Sequence, residues 1–201
     1  MRIHLLWLFG ALAAEAPWIP LFDGQSLKGW KETPFTGRGV VRVAGGELLL
    51  DPGQPMTGVT AVQRFPAVNY ELRFEGQRRR GNDFFATVTF PVGERFCTFV
   101  TGGWGGDIIG LSNIDGGNAS ENETRAYFNF ENNRWYRFRL HVTAGRIRAW
   151  IDDQRVIDLD IAGREVSLRP GETKLMAPLG FASFATVGAI RNASYRSIPA
   201  P

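Results

Sequence analysis

The sequence predicts an all-β sandwich built from two antiparallel sheets. Apolar residues alternate with a period of two over most of the chain. Gly, Pro, Asn and Asp break that alternation roughly every 8–12 residues, the spacing of short strands in sandwiches. Beyond the first residues there is no amphipathic helical pattern. With 201 residues, 44% of them apolar and 12% aromatic, the chain has material for one sizeable core. That composition excludes a disordered chain, which could not bury enough apolar surface to offset its entropy.

In chain order, Met1–Ala16 comes first and reads as a signal peptide. Arg2 supplies the positive start, Leu5 to Ala14 is apolar, and Ala11-Leu12-Ala13 and Ala14-Glu15-Ala16 offer small-x-small cleavage sites. The apolar stretch is about half of the ~20 residues needed to cross a bilayer, so stable membrane insertion is not expected. The expectation is an exported protein whose single domain spans 17–201. Val41–Val43 and Leu48–Leu50 flank Gly45-Gly46, a hairpin signal. Strands are then expected at 59–65, 70–75, 84–90, 95–101 and 108–114. Further strands are expected at 125–130, 135–143, 146–152, 156–161, 181–187 and 189–195. Gly163–Pro178 has no period and reads as a loop.

One pairing is expected in detail. Ala126, Phe128 and Phe130 form the apolar set of one segment, and Tyr136, Phe138, Leu140 and Val142 that of the next. Matching them as a hairpin needs the three-residue loop Asn132-Asn133-Arg134, which sets Phe130 against Tyr136 and Phe128 against Phe138. The opposite face then gathers Arg125, Tyr127, Asn129 and Glu131 with Trp135, Arg137, Arg139 and His141. An extended 120–124 would add Glu121 and Glu123. Such a face is either a binding surface or a solvated surface with weak cross-strand ion pairs.

Composition narrows the chemistry. The charge of +3 is dispersed, and its one run, Arg78-Arg79-Arg80, reads as a solvated loop without any nucleic-acid motif, so nucleic acid is not an expected partner. One Cys excludes a disulfide framework and Cys-cluster zinc sites, and Cys97 reads as a small packed residue. Removing 1–16 leaves His141 as the one His, so no His-x-x-x-His zinc site can form, and no Gly-x-Ser-x-Gly elbow exists.

Three segments carry a family resemblance. Pro20-Leu21-Phe22-Asp23-Gly24-Gln25-Ser26-Leu27-Lys28-Gly29-Trp30 resembles the opening motif of the 3-keto-disaccharide hydrolase domain family. Gly81-Asn82-Asp83-Phe84-Phe85 resembles its Gly-Asn strand start, and Trp135–Ile157 its Trp-strand-Gly-strand pattern. The similarity spans roughly residues 18 to 198, while Thr101–Thr124 departs from the pattern and marks a divergent subgroup. The resemblance implies a concanavalin A-like jelly roll, export, a carbohydrate substrate, and cleavage of glycosides oxidised at C3. That reaction needs a base, enolate stabilisation and an acid for the leaving group. Some relatives use a divalent metal for the enolate.

The acid and base candidates are Glu121 and Glu123, which share one face if extended. Arg125 is the candidate for charge stabilisation and His141 for proton shuttling. A polar loop whose acids cap neighbouring backbone is the alternative for the glutamates. Trp104, in Gly102-Gly103-Trp104-Gly105-Gly106, is either a sugar-stacking platform or packed inward; no P-loop signature accompanies it. Asp107, Asn113, Tyr127, Arg137 and Arg139 are further substrate-binding candidates. Asp107, Asn113, Asp115, Asn118 and Glu121 carry oxygen donors compatible with calcium, though without EF-hand spacing; no cofactor is otherwise expected. The competing functional expectation is a non-catalytic, lectin-like carbohydrate-binding module on the same fold.

Overall fold

The computed structural model describes residues 15–200, and its regular secondary structure is almost wholly strand. The first are β1 (Ile19–Pro20), β2 (Trp30–Glu32), β3 (Val41–Ala44), β4 (Glu47–Leu50) and β5 (Met56–Ala61). Then come β6 (Tyr70–Arg80), β7 (Thr87–Val92), β8 (Arg95–Gly103), β9 (Ile108–Ser112) and β10 (Ala126–Tyr127). The last are β11 (Trp135–Val142), β12 (Arg146–Ile151), β13 (Gln154–Asp160), β14 (Gly180–Phe184) and β15 (Val187–Ser197). An eight-stranded sheet runs β13-β12-β11-β6-β15-β4-β3, with β1 also on β15; a seven-stranded sheet runs β10-β9-β8-β7-β14-β5-β2. All these pairings are antiparallel. The expected signal peptide lies, apart from Glu15 and Ala16, outside the described residues. No described helix is long and apolar enough to cross a membrane.

The alternation read from the sequence becomes the inter-sheet core. Phe74, Phe138, Leu140 and Ala149 from the larger sheet meet Val88, Phe90, Phe99, Leu111 and Phe181 from the smaller. Phe138 is within ring-packing distance of Phe74, Phe85, Phe99 and Phe130, which ties the sheets together at one aromatic cluster. The Gly45-Gly46 hairpin forms as expected: Val43 faces Leu48, Ala44 faces Glu47, and both glycines take positive φ.

Two sequence expectations are corrected here. The hairpin between 125–131 and 135–142 does not form, because β10 pairs with β9 in the smaller sheet and β11 pairs with β6 and β12 in the larger. Residues 128–134 cross between the sheets instead. Phe128 and Phe130 still pack on Tyr136, but as residues of the inter-sheet layer rather than as a cross-strand register. The alternation therefore assigned each side chain to the core and left its hydrogen-bonding partner open. The second correction is Arg78-Arg79-Arg80, which ends strand β6 and is not a solvated loop; Arg78 is buried and Arg79 pairs with Glu47.

The later part of Gly163–Pro178, residues 169–176, lies over the outer face of the smaller sheet, while Val166 packs into the core. The segment's short 3-10 turn, Glu172–Met176, is tied down at three points. Glu172 accepts hydrogen bonds from the Thr36 amide (3.0 Å) and hydroxyl (2.7 Å), Thr60 donates to the Leu175 carbonyl (2.9 Å), and Thr89 lies 3.6 Å from Met176 Sδ.

Cys97, the chain's one cysteine, is fully buried in β8 beside Phe99, and burial pushes its thiol up to about 12. Folded protein at pH 8 should therefore resist a thiol reagent such as dithionitrobenzoate, with one thiol released on denaturation in guanidinium. Rapid stoichiometric labelling of the native protein would contradict this packing.

Candidate active site

One end of the sandwich is organised around a buried guanidinium. Arg78, at the end of β6, points between the sheets and is 7% exposed. It donates from Nε to Asn132 Oδ1 (2.7 Å), from one terminal nitrogen to the Gly106 carbonyl (3.1 Å) and from the other to the Phe130 carbonyl (2.5 Å). These partners belong to the segment linking the sheets and to the turn between β8 and β9. Burial lowers the Arg78 pKa, opposed by the nearby Asp83 charge, yet a guanidinium keeps its proton. Gly106 is required for this approach: its φ is +112°, and a Cβ there would sit 2.7 Å from the Arg78 guanidinium.

The turn held by Arg78 presents Trp104. This residue has φ +50°, a conformation costly for a bulky side chain, and is 40% exposed. It lines a cavity of about 390 Å³ on the outer face of the smaller sheet. The floor includes Thr87 of β7, Thr98 and Val100 of β8 and Ser112 of β9, and Asp83, Phe84 and Phe184 continue the lining. Arg169, Glu172 and Thr173 border it from the crossing segment.

Asp83 is the cavity's perturbed carboxyl. Burial raises its pKa, opposed by the backbone N–H groups of Phe84, Gly105 and Trp104 and by Arg78. Its Oδ1 accepts the Phe84 amide at 2.8 Å, and no ion pair engages it among the described residues. Glu172, the other cavity carboxylate, is taken up by Thr36. Arg169 lies 5.8 Å from the Trp104 ring centre and has no carboxylate partner among the described residues. A half-buried carboxyl of raised pKa beside an aromatic platform, an unpaired guanidinium and hydroxyls is the equipment for proton transfer on a polyol.

The residues expected from sequence are distributed differently. Trp104 lies in the cavity. Glu121, Glu123 and Arg125 sit in the turn-rich loop between β9 and β10: Glu121 accepts the Asn118 amide (3.1 Å), Glu123 pairs with Arg164, and Arg125 reaches the Ser120 carbonyl (3.2 Å). Asp107 is exposed and offers its carbonyl to the Phe128 amide, Tyr127 is exposed on β10, and Asn113 is buried with its amide on the Gly116 carbonyl. Arg137, Arg139 and His141 occupy the outer face of the larger sheet, away from the glutamates. There Arg137 pairs with Asp153 (2.9 Å), while Arg139 pairs with Glu71 (3.5 Å) and stacks over Trp150. His141 has its pKa lowered, chiefly by burial and further by Arg148, Arg139 and Arg196, against the pull of Glu71. The shared polar face is thus split between two sheets. A groove of about 790 Å³ does cross the larger sheet past Trp18, Arg73 and Arg137, but most of its charged groups are already engaged in ion pairs.

The donors expected for calcium are partly engaged by the protein itself. Asp115 accepts the Arg164 guanidinium (2.5 Å) and the Glu165 amide (2.7 Å), and no three His, Cys, Asp or Glu side chains form a metal-sized cluster among the described residues.

Sequence reasoning missed Asp83 and Arg169 as site residues. Asp83 had a signal, its place in the Gly81–Phe85 motif. Arg169 had none, because it lies in the patternless segment and reaches the site through contacts distant in sequence.

A sequence profile of the 3-keto-alpha-glucoside-1,2-lyase-like domain matches residues 17–198. The chain belongs to that family. Solved structures share the fold of this lyase-like domain at low identity. A glycosyl hydrolase described as putative from Parabacteroides distasonis ATCC 8503 gives a TM-score of 0.59 at 10% identity, over 90% of this chain and 94% of that one. The carbohydrate-binding module CBM66 from Bacillus subtilis gives 0.56 at 14% identity, over 84% and 96%. The Crh5 transglycosylase in complex with NAG gives 0.61 at 12% identity, over 94% and 86%. No curated protein matches the chain. Its fold is the concanavalin A-like jelly roll of carbohydrate-active proteins.

Replacing Arg78 with Met should cost about 3 kcal/mol or more, because it strands three acceptors, two of them backbone carbonyls in the interior. Guanidinium unfolding of the Arg78→Met variant would measure it; an unchanged midpoint and slope would remove Arg78 as the organiser of this end.

Proposed function

We propose that the chain is an exported enzyme that cleaves 3-keto-glycosides in the cavity framed by Asp83, Trp104 and Arg169. Family membership supports the substrate class, and the N-terminal pattern supports export. The observation that carries the choice of chemistry is that, among the described residues, two carboxyl groups line the cavity and one of them, Glu172, is tied to Thr36, which leaves Asp83, held by backbone amides alone, as the base. Ordinary glycoside hydrolysis uses two carboxyl groups flanking the bond. Elimination next to a ketone can begin with one base.

The C3 ketone acidifies the hydrogen on C2. Asp83 takes that proton, and the C–H electron pair moves into a C2–C3 double bond, leaving negative charge on O3. Arg169, the one unpaired cation lining the cavity among the described residues, offsets that charge. The enolate collapses to restore the ketone and form a C1–C2 double bond, expelling the C1 substituent with its bonding electrons. That leaving oxygen takes up the proton held by Asp83. Water then adds across the double bond, hydroxyl to C1 and hydrogen to C2, which releases the 3-keto sugar. The overall reaction consumes one water. Trp104 would stack on the pyranose ring, and the hydroxyls of Thr98 and Ser112 would meet its hydroxyls.

Purified protein incubated with 3-keto-trehalose and 3-keto-glucosides should release 3-keto-glucose. Asp83→Asn should lower kcat/KM by about 100-fold or more, in the range of a lost general base. Because Asp83 must be ionised to act, and burial raises its pKa above the ordinary 3.8, kcat/KM should fall as pH drops through that raised value. Loss of activity in Glu121→Gln with retention in Asp83→Asn would place the chemistry in the β9–β10 loop instead. Glycan binding without any release would make the chain a binding module.

A further inference from the structure

The cavity has two unlike flanks, and the sheet order fixes which is which. Toward β8 and β9 lie Thr98, Ser112 and Trp104, the side that suits a sugar ring. Toward β14 and β5 lie Phe184 and Met56, paired directly across those strands, and Phe84 joins them from the start of the β7 arm. Phe84 and Phe184 pack at 5.4 Å with their rings tilted by 55°. Met56 and Phe84 also rest on a second apolar cluster, Phe35, Met176 and Ala182, that is separate from the inter-sheet core. This flank offers aromatic and thioether surface with no cavity-lining carboxylate beyond Asp83 and the tethered Glu172.

A second sugar would present hydroxyls to that flank and lose their hydration without compensating hydrogen bonds, which is costly in an apolar setting. A planar aglycone would bury carbon against carbon there, with the tilted Phe pair suited to edge-to-face contact. Leaving-group chemistry points the same way. With Glu172 engaged by Thr36, Asp83 alone must return the proton to the departing oxygen. A phenol-type leaving group, with a pKa near 10, departs with far less help from an acid than a sugar alkoxide does.

We infer that the cavity selects glycosides bearing an aromatic aglycone, seated against Phe84, Phe184 and Met56, over disaccharides. The cleavage step rests on the function proposed above; the binding preference does not.

The test therefore separates the two. Calorimetry with the unreactive probes 4-nitrophenyl glucoside and trehalose should give an affinity at least tenfold tighter for the aryl compound. Phe184→Ala and Met56→Ser should each shrink that ratio severalfold, with circular dichroism confirming that both variants are folded. Equal or reversed affinities, or a ratio that neither folded variant changes, would overturn the inference. Turnover is read in parallel on the 3-keto forms of the same two compounds. Aryl preference in binding with no release from either compound would refute the cleavage reading and leave the selectivity standing. Release with higher kcat/KM for 3-keto-trehalose would do the reverse.

Discussion

The site depends on one interaction, the burial of the Arg78 guanidinium among the Gly106 and Phe130 carbonyls and the Asn132 side chain. A buried cation without partners would be very costly, so the three acceptors must be brought to it. Bringing them there fixes the turn between β8 and β9 against the strand that ends at Arg78, and so fixes the direction in which Trp104 projects. It also places a positive charge near Asp83 in a setting where burial alone would favour the protonated acid. The carboxyl is left raised in pKa and close to an aromatic platform, an arrangement a solvated surface carboxylate would not reach.

The two outer faces of the sandwich have been put to different uses. On the larger sheet, arginines and acids neutralise one another over Trp18, Trp135 and Trp150, with Glu71 receiving both Arg139 and Arg196. On the smaller sheet, hydroxyl and apolar side chains face outward and a tethered segment crosses them, so a cavity persists where a flat sheet would be bare. Thr60 and Thr89 hold that segment by its backbone and its methionine, while Thr98, bonded to Thr89 (2.8 Å), and Ser112, bonded to Asn113 (2.7 Å), line the cavity beneath it.

Much of the fold was legible in the sequence because alternation reports burial directly. Phe128, Phe130, Tyr136 and Phe138 were all assigned correctly to the interior. Their strand partners were not, since a period of two sets the face of a residue and is silent about which strand lies beside it. Trp104 stood out because glycines surround it, and Asp83 lay in a recognisable motif. Arg169 and Glu172 could not be placed, because their positions follow from a hydrogen bond spanning 136 residues, from Thr36 to Glu172. The Glu121 and Glu123 pattern depended on an extended 120–124; the chain instead turns there, so that Glu121 caps the Asn118 amide within the loop and Glu123 pairs with Arg164 outside it.

The proposed function puts the ligand in the cavity on the smaller sheet and not in the groove on the larger one. The chain has six tryptophans, and their indole N–H signals can be followed individually by nitrogen-15 NMR once each is assigned by substitution. On titration with an unreactive glucoside, the Trp104 signal should shift in a saturable way while those of Trp18, Trp135 and Trp150 stay in place. Saturable shifts at Trp18, Trp135 or Trp150 with Trp104 unmoved would put the ligand on the opposite face and contradict the account.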